Sequence, residues 1–465
     1  MDGIHDYLHD RRQLFVELGD RIWHTPEVGL SERESSRLLM DALAAEGFSL
    51  RRVESMPTAF VASYGEGLPV VALLGEYDAL PGLSQAAGLA EARPIVAGGA
   101  GHGCGHNLLG TAAAAAAMAV REAIRSRGLR GTVRFYGCPA EETLVGKVFM
   151  VKEGLFSDVD CALTWHPGSV NAVWAASTQA MNSVRIRFHG IPAHAAANPE
   201  DGRSALDAVE LMDVGANFLR EHVPSDARIH YVITDGGDAP NVVPARAEVW
   251  YYVRAPRRED VEALHRRLMD VARGAALMAG VGHEVELVTG CYDTLANRTL
   301  GDLLQEQMET VGAPAFSAEE HRLARDLQAT FAAGTVERAV RHLRRRGLEL
   351  PPDCDLVEAV APISGYGEHD HGSTDVGDVS HIVPTAQITS VTAPLGTPGH
   401  SWQNVVSVGS GIGHRGMLYA AEVLARAASE LLARPQLVAQ AKEEFRQNAE
   451  PYVSPVRDLA APPRG

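Results

Sequence analysis

Cys104 and His106 stand two residues apart in the glycine-rich stretch GHGCGHNLLG (residues 101–110), just before an alanine-rich run. A thiolate and an imidazole at that spacing, on a turn with little steric bulk, can face one metal ion together. Alone the pair says little, because a buried structural cysteine beside a hydrogen-bonded histidine is the commoner arrangement. Further donors shift the balance: Glu141 and Glu142 in CPAEET, His166 in TWHPG and His400 in GTPGHSWQN. Cys104, His106, Glu142, His166 and His400 make a mixed sulfur, nitrogen and oxygen set. It exceeds one tetrahedral site and suits two divalent ions sharing a bridge. Adjacent carboxylates at a strand end point in different directions. One of the Glu141–Glu142 pair can hold metal while the other takes a proton from a water that the metal has made acidic.

Chemistry of this kind needs elements that end in the same place. Residues 69–75, PVVALLG, are a continuous apolar run, as in a strand buried on both faces, and they deliver Glu76, Tyr77 and Asp78 at their C-terminal end. GTVRFYG (131–137) reads as a second strand, leading into CPAEET, and CALTW (161–165) as a third, ending in His166. A helix over 107–126 follows the Cys104–His106 turn. This alternation predicts an α/β sheet with its site at the carboxyl ends of the strands. Upstream, apolar spacing predicts one helix over 3–23, and Ser31 with Glu34 reads as a capping box opening a helix to about Glu46.

The pattern changes at about residue 176. Strands at 182–189, 227–234, 245–255 and 283–289 alternate as half-buried strands do, with helices at 203–220 and 258–278. The order β-α-β-β-α-β is a split βαβ arrangement. Residues 178–290 therefore read as a smaller α+β domain inserted between 1–177 and 291–465. The helical segment 317–346 carries a basic cluster, RHLRRRG, read as a solvated helix face. A last amphipathic helix is expected over 414–433, and the tail after Arg446 is expected to be poorly ordered.

Composition narrows the function. The 465 residues carry a formal net charge of -17, against nucleic acid or an anionic membrane as the main partner. Five cysteines without a pairing pattern suit a reducing compartment. The N-terminus is charged from its second residue, so no signal peptide is expected, and the apolar run at 108–120 is too short and alanine-rich to span a bilayer. A cytoplasmic enzyme is the expectation.

HTPEVGL, GEYDALPG, GHGCGHNLLG, CPAEET, TWHPG, HGIPAHAA, APNVVPARAEVWYYVRA, GSTDVGDVSHIVPT and GTPGHSWQN follow one another in this chain. Their types and order resemble the dinuclear metallo-amidohydrolases related to aminoacylase and carboxypeptidase G. Within that family the resemblance is to the branch of indole-acetyl-amino-acid hydrolases and the B-subunit type of p-aminobenzoyl-glutamate hydrolase. It covers nearly the whole chain and implies a metal-binding α/β domain, with a mixed central sheet flanked by helices, interrupted by a ferredoxin-like dimerisation domain. It implies Cys104, His106, Glu142, His166 and His400 as metal ligands for two divalent ions; Cys with His favours zinc, and Glu with two-metal hydrolase chemistry also allows manganese or cobalt. It implies Glu141 as general base, and His194 as the histidine that reaches across a homodimer to hold the oxyanion. Asn241 and Arg254 lie where the family contacts the substrate carboxylate. Asn107 departs from the aspartate common in related branches. Asp78 is expected behind the ligands, and Asp375 and His381 along the pocket.

The expected reaction is hydrolysis of an N-acyl or N-aroyl amino acid, p-aminobenzoyl-glutamate-like, by metal-activated water. The same site acting as a dipeptidase, or as a hydrolytic deaminase of an aromatic amine, is the alternative. A thiol amidase with Cys104 as nucleophile and His106 as base fits poorly, because the i, i+2 spacing makes direct pairing awkward and leaves the carboxylates unexplained. A related second subunit is a further expected partner.

Overall fold

The computed structural model describes residues 2–462. The first six strands are β1 (Ser49–Val53), β2 (Met56–Glu66), β3 (Val70–Glu76), β4 (Gly131–Cys138), β5 (Cys161–Gly168) and β6 (Ala172–Val173). Four more, β7 (Ala180–His189), β8 (Arg228–Asp235), β9 (Arg246–Ala255) and β10 (Gly282–Cys291), form a sheet of their own, and β11 (Thr385–Val391) returns to the first. The larger sheet has the order β1-β2-β4-β3-β5-β11-β6. Its centre is parallel, with β3 between β4 and β5 and β5 beside β11, while β1, β2 and β6 pair antiparallel. Every residue of β3 is buried, as its unbroken apolar sequence requires for a strand covered on both faces.

The helix His106–Arg127 is buried nearly all round through Val120 and packs against the helix Gly411–Ala433. Both helices are alanine-rich, so their backbones approach closely. The start of the helix His106–Arg127 also meets the sheet backbone to backbone. A Cβ added at Gly110 would lie 2.6 Å from the Glu76 carbonyl oxygen, and Trp165 donates its indole N–H to the Leu109 carbonyl at 3.1 Å. The start of this helix is thereby fixed against the ends of β3 and β5.

The smaller sheet runs β10-β7-β9-β8, antiparallel throughout, which is the ferredoxin-like order for a β-α-β-β-α-β chain. Val184, Ile186, Phe188, Val249, Tyr251 and Val253 pack beneath the helices Ala205–Leu219 and Arg258–Ala279. The alternate residues Tyr252 and Arg254 turn toward the larger domain. Among the described residues no helix is long and apolar enough to cross a membrane.

Three local expectations are corrected. The helix expected over 3–23 breaks at Arg11 into Asp2–Asp10 and Arg12–Trp23, an arrangement in which Ile4, Tyr7 and Leu8 and also Phe15, Leu18 and Ile22 are buried. Ser31 does not cap the next helix, Arg33–Ala45, whose N-cap position is Glu32. The carboxylate of Glu27 instead accepts the N–H groups of Glu34 and Ser35 at 3.0 and 2.9 Å and the Ser35 hydroxyl at 2.9 Å. A capping box does form at Ser317 and Glu320. The tail after Arg446 is also packed on the protein: Pro435–Asn448 is a helix, Tyr452 donates to Asp378 Oδ1 at 2.7 Å, and Val456 is fully buried. Residues 463–465 lie outside the described residues.

Glu27 satisfies two orphan helix donors from outside the helix. Glu27→Ala is expected to lower the unfolding free energy by about 1–2 kcal/mol, the usual worth of a lost cap, as read from a denaturant titration.

Candidate metal and catalytic site

The turn of residues 101–105, the loop after β4, the end of β5 and the loop before the helix Trp402–Val408 converge at the carboxyl ends of the parallel strands. Cys104 Sγ lies 3.3 Å from His166 Nε2. The donor atoms of Cys104, His106 and His166 lie within 4.8 Å of one another, and so do those of Cys104, Glu142 and His400. A third group, Glu76, His106 and Glu141, meets the same distance and is wholly buried. Cys104 belongs to the first two groups and His106 to the first and third. The five sequence-proposed ligands and Glu141 are thus brought together.

Hydrogen bonds aim the donors. His106 Nδ1 donates to Asp78 Oδ1 at 2.8 Å and His166 Nδ1 to the Pro167 carbonyl at 2.7 Å, which leaves both Nε2 lone pairs for the cluster. Asp78 also accepts the Glu142 N–H at 2.9 Å, so it stands behind two donors. His106 Nε2 and Glu142 Oε1 are buried without a hydrogen-bond partner. Orphaned buried atoms of this kind, within a thiol, imidazole and carboxylate set, fit divalent cations. The backbone here is strained. Ala140, Leu144 and His400 are three of only four non-glycine residues with positive φ among those described, at 54°, 57° and 51°. Asn404 donates to the Gly103 carbonyl at 2.7 Å and ties the His400 loop to the Cys104 turn.

A pocket of about 300 Å³ opens over the cluster, lined also by Trp174, Tyr252 and Arg254. Arg254 donates to Ser373 Oγ at 3.2 Å, its guanidinium carbon lies 5.5 Å from the Tyr252 ring centre, and its Nε has no partner. His194 and Asn241 are elsewhere. They sit side by side at the exposed edge of the inserted domain, where Ala195 N–H donates to the Asn241 carbonyl at 3.0 Å, and neither lines the pocket of its own chain. His194 Nδ1 accepts from the N–H groups of Ala196 and Ala197, so its Nε2 is the free donor. Asp375 and His381 do not line the pocket. Asp375 is fully buried against Lys147, and His381 packs tilted against Tyr292 at 4.7 Å between ring centres. Asn107 points its amide at the Gly19 and Val408 carbonyls, a packing role.

Known proteins resemble this chain in both sequence and fold. A family model for the M20 peptidase dimerisation domain matches residues 177–277. The chain is 43% identical to the B-subunit of p-aminobenzoyl-glutamate hydrolase from Escherichia coli (strain K12), over 99% of this chain and 98% of that protein. It belongs to the M20 metallopeptidase family. This M20 chain is also 28% identical to an Xaa-Arg dipeptidase of Mus musculus, over 92% of its own length and 88% of the relative's. Its fold matches a dinuclear metal-binding peptidase of the M20 family from Bacillus subtilis with a TM-score of 0.59 at 18% identity, covering 91% of this chain and 99% of that one. The expected class, a metal-dependent amide hydrolase, follows from this membership.

Two residues of the M20 chain buried beside the cluster carry little sequence signal. Glu76 is legible only as a strand-end acid, and Lys147 has no motif around it. Lys147 Nζ lies 2.6 Å from Glu76 Oε1 and 2.5 Å from Asp375 Oδ1, wholly buried. Around this one ammonium stand Glu76, Asp78, Glu141 and Asp375. Burial pushes Glu141 well above the usual carboxyl range, and Glu76 and Asp375 add to it. Burial likewise pushes Glu142 and Asp375 up to about 7 and the Cys104 thiol up to about 12. Glu32, which accepts the Ala140 N–H at 2.7 Å, is pushed up to about 8 by burial and by Asp78. The site resists negative charge until a cation offsets it.

Carboxyls raised in the folded state stabilise it fully only below their unfolded values near pH 4, and that stability is lost as pH rises through 7 to 8. Chelator-treated protein is expected to melt at progressively lower temperature between pH 5 and 8. Protein supplied with a divalent metal should show a smaller decline, as measured by calorimetry.

Proposed function

We propose that this chain is a dinuclear, cytoplasmic amidohydrolase that cleaves N-acyl or N-aroyl amino acids, with p-aminobenzoyl-glutamate the leading substrate. The observation that supports this most directly is the pair of donor triads sharing Cys104, set beside the free carboxyl of Glu141. Cys104, His106, Glu142, His166 and His400 would hold two ions, with zinc or manganese, or cobalt, matching the mixed donors. When bound, such ions polarise an amide carbonyl and acidify water.

Glu141 is the base. Its Oε2, 3.9 Å from His106 Nε2, takes the proton of the attacking water and returns it to the leaving amine nitrogen. Arg254 clamps the substrate carboxylate from the inserted domain, residues 178–290, using donors that Ser373 leaves free. Trp174 and Tyr252 offer flat walls to an aroyl group. The similarity to the Xaa-Arg dipeptidase favours a dipeptide as the second substrate class.

The homodimer forms along β8. This edge strand exposes Tyr231, Val232 and Ile233, and the neighbouring helix exposes Val214 and Phe218. An uncovered apolar edge with unpaired backbone groups is completed by a second copy of itself. His194 then donates its Nε2–H to the oxyanion in the partner's pocket, and Asn241 accompanies it. The name of the Escherichia coli relative, one subunit of a hydrolase, adds a related second subunit as a further partner.

Purified protein stripped by a chelator is expected to lose p-aminobenzoyl-glutamate hydrolysis and regain it with zinc, manganese or cobalt. Full activity without metal refutes the reading. Glu141→Gln should lower kcat by about 10²–10⁴-fold. Mixing Glu141→Gln with His194→Ala should restore activity that neither variant has alone, which separates action across the dimer from action within one chain. Ile233→Glu should yield a folded monomer by native mass.

A further inference from the structure

Lys147 is the second residue of the helix Gly146–Lys152 and is completely buried. Its position is set by backbone. A Cβ added at Gly146 would fall 1.8 Å from the Pro139 carbonyl oxygen, so the helix start presses on the turn that carries Glu141 and Glu142. The ammonium bridges Glu76 Oε1 at 2.6 Å and Asp375 Oδ1 at 2.5 Å. Asp375 Oδ2 also accepts the N–H of Lys147 itself at 2.7 Å. The free oxygen of Glu76 lies 3.3 Å from His106 Nε2 and has no hydrogen-bond partner. Two residues before Asp375, Ser373 accepts from Arg254 of the inserted domain.

A continuous series of contacts thus runs from a metal-donor nitrogen through Glu76, Lys147 and Asp375 to the loop that meets the substrate-side arginine. We propose that Lys147 is a positioning residue that holds Glu76 against His106 and, through Asp375, holds the 372–376 wall of the pocket beneath Arg254. One buried cation then sets both the donor geometry and the substrate-side geometry. The proposal rests on the dinuclear amidohydrolase reading. Without the ammonium, Glu76 and Asp375 face each other as buried like charges and must separate or take up protons, and either change displaces what each one holds. An apolar side chain of similar length fills the volume and leaves that repulsion in place.

The test uses full-length wild type, Lys147→Met and Asp375→Asn. Zn²⁺ occupancy is measured by dialysis against buffers of graded free Zn²⁺, folding by circular dichroism of the metal-free proteins, and kcat and KM on p-aminobenzoyl-glutamate. Folded Lys147→Met is expected to need about tenfold or more free Zn²⁺ for half-occupancy, the usual effect of losing a supporting contact. Asp375→Asn keeps the Lys147–Glu76 pair. It is expected to raise KM several-fold with a smaller change in Zn²⁺ affinity, a split that general destabilisation would not produce. Unchanged Zn²⁺ affinity and KM in folded Lys147→Met overturn the proposal. If that variant does not fold, unchanged KM in Asp375→Asn overturns it instead. A wild type that binds no Zn²⁺ and cleaves no amide refutes the underlying reading rather than this one.

Discussion

Carboxyl groups crowded together away from water repel one another, and this protein gathers Glu76, Asp78, Glu141 and Asp375 around the single ammonium of Lys147. That imbalance organises the molecule. It raises the affinity of several carboxyls for protons and makes a site that divalent cations would complete. It also demands a stiff surround, because charges free to move apart would do so. The surround is supplied by a fully buried parallel strand, a helix lying on its end with only a glycine between the two backbones, and a second alanine-rich helix behind.

Support for the donors comes from long range. Glu32 holds the Ala140 N–H from 108 residues upstream, and Asp78 braces both His106 and Glu142. The HTPEVGL segment therefore serves the site although none of its residues enters the pocket. Its Glu27 caps the following helix, the Glu27 carbonyl accepts the Ala79 N–H at 2.8 Å, and Gly29 packs on Ala140.

Much of this was legible in the sequence, because strands covered on both faces and half-buried strands leave different periodicities. The unbroken run of β3 and the alternation of β7 and β9 gave both sheets and the inserted α+β unit. That the cluster's side chains would meet was legible because Cys, His and paired Glu at strand ends are unusual in combination. Lys147 and the support from Glu32 were not, since a lone lysine in a helix or a glutamate after a turn looks like surface until the fold brings carboxyls or a backbone N–H to it. The supposed capping box at Ser31 failed for a related reason: a carboxylate from outside the helix outcompeted the local hydroxyl. The tail looked loose by composition, yet Tyr452 and Val456 found buried partners that only tertiary structure provides.

The left-handed backbone at Ala140, Leu144 and His400 bears on how such a protein can change. Each of the three would be easier to fold as glycine, which adopts that conformation without steric cost. At Ala140 or Leu144 a glycine would free the neighbouring carboxylates to sample other directions, and at His400 it would remove the imidazole itself. Selection for thermal robustness and selection for turnover therefore pull against each other at these three positions. Substitutions that raise stability without loss of rate belong instead on the far side of the alanine-rich helices, where packing alone decides.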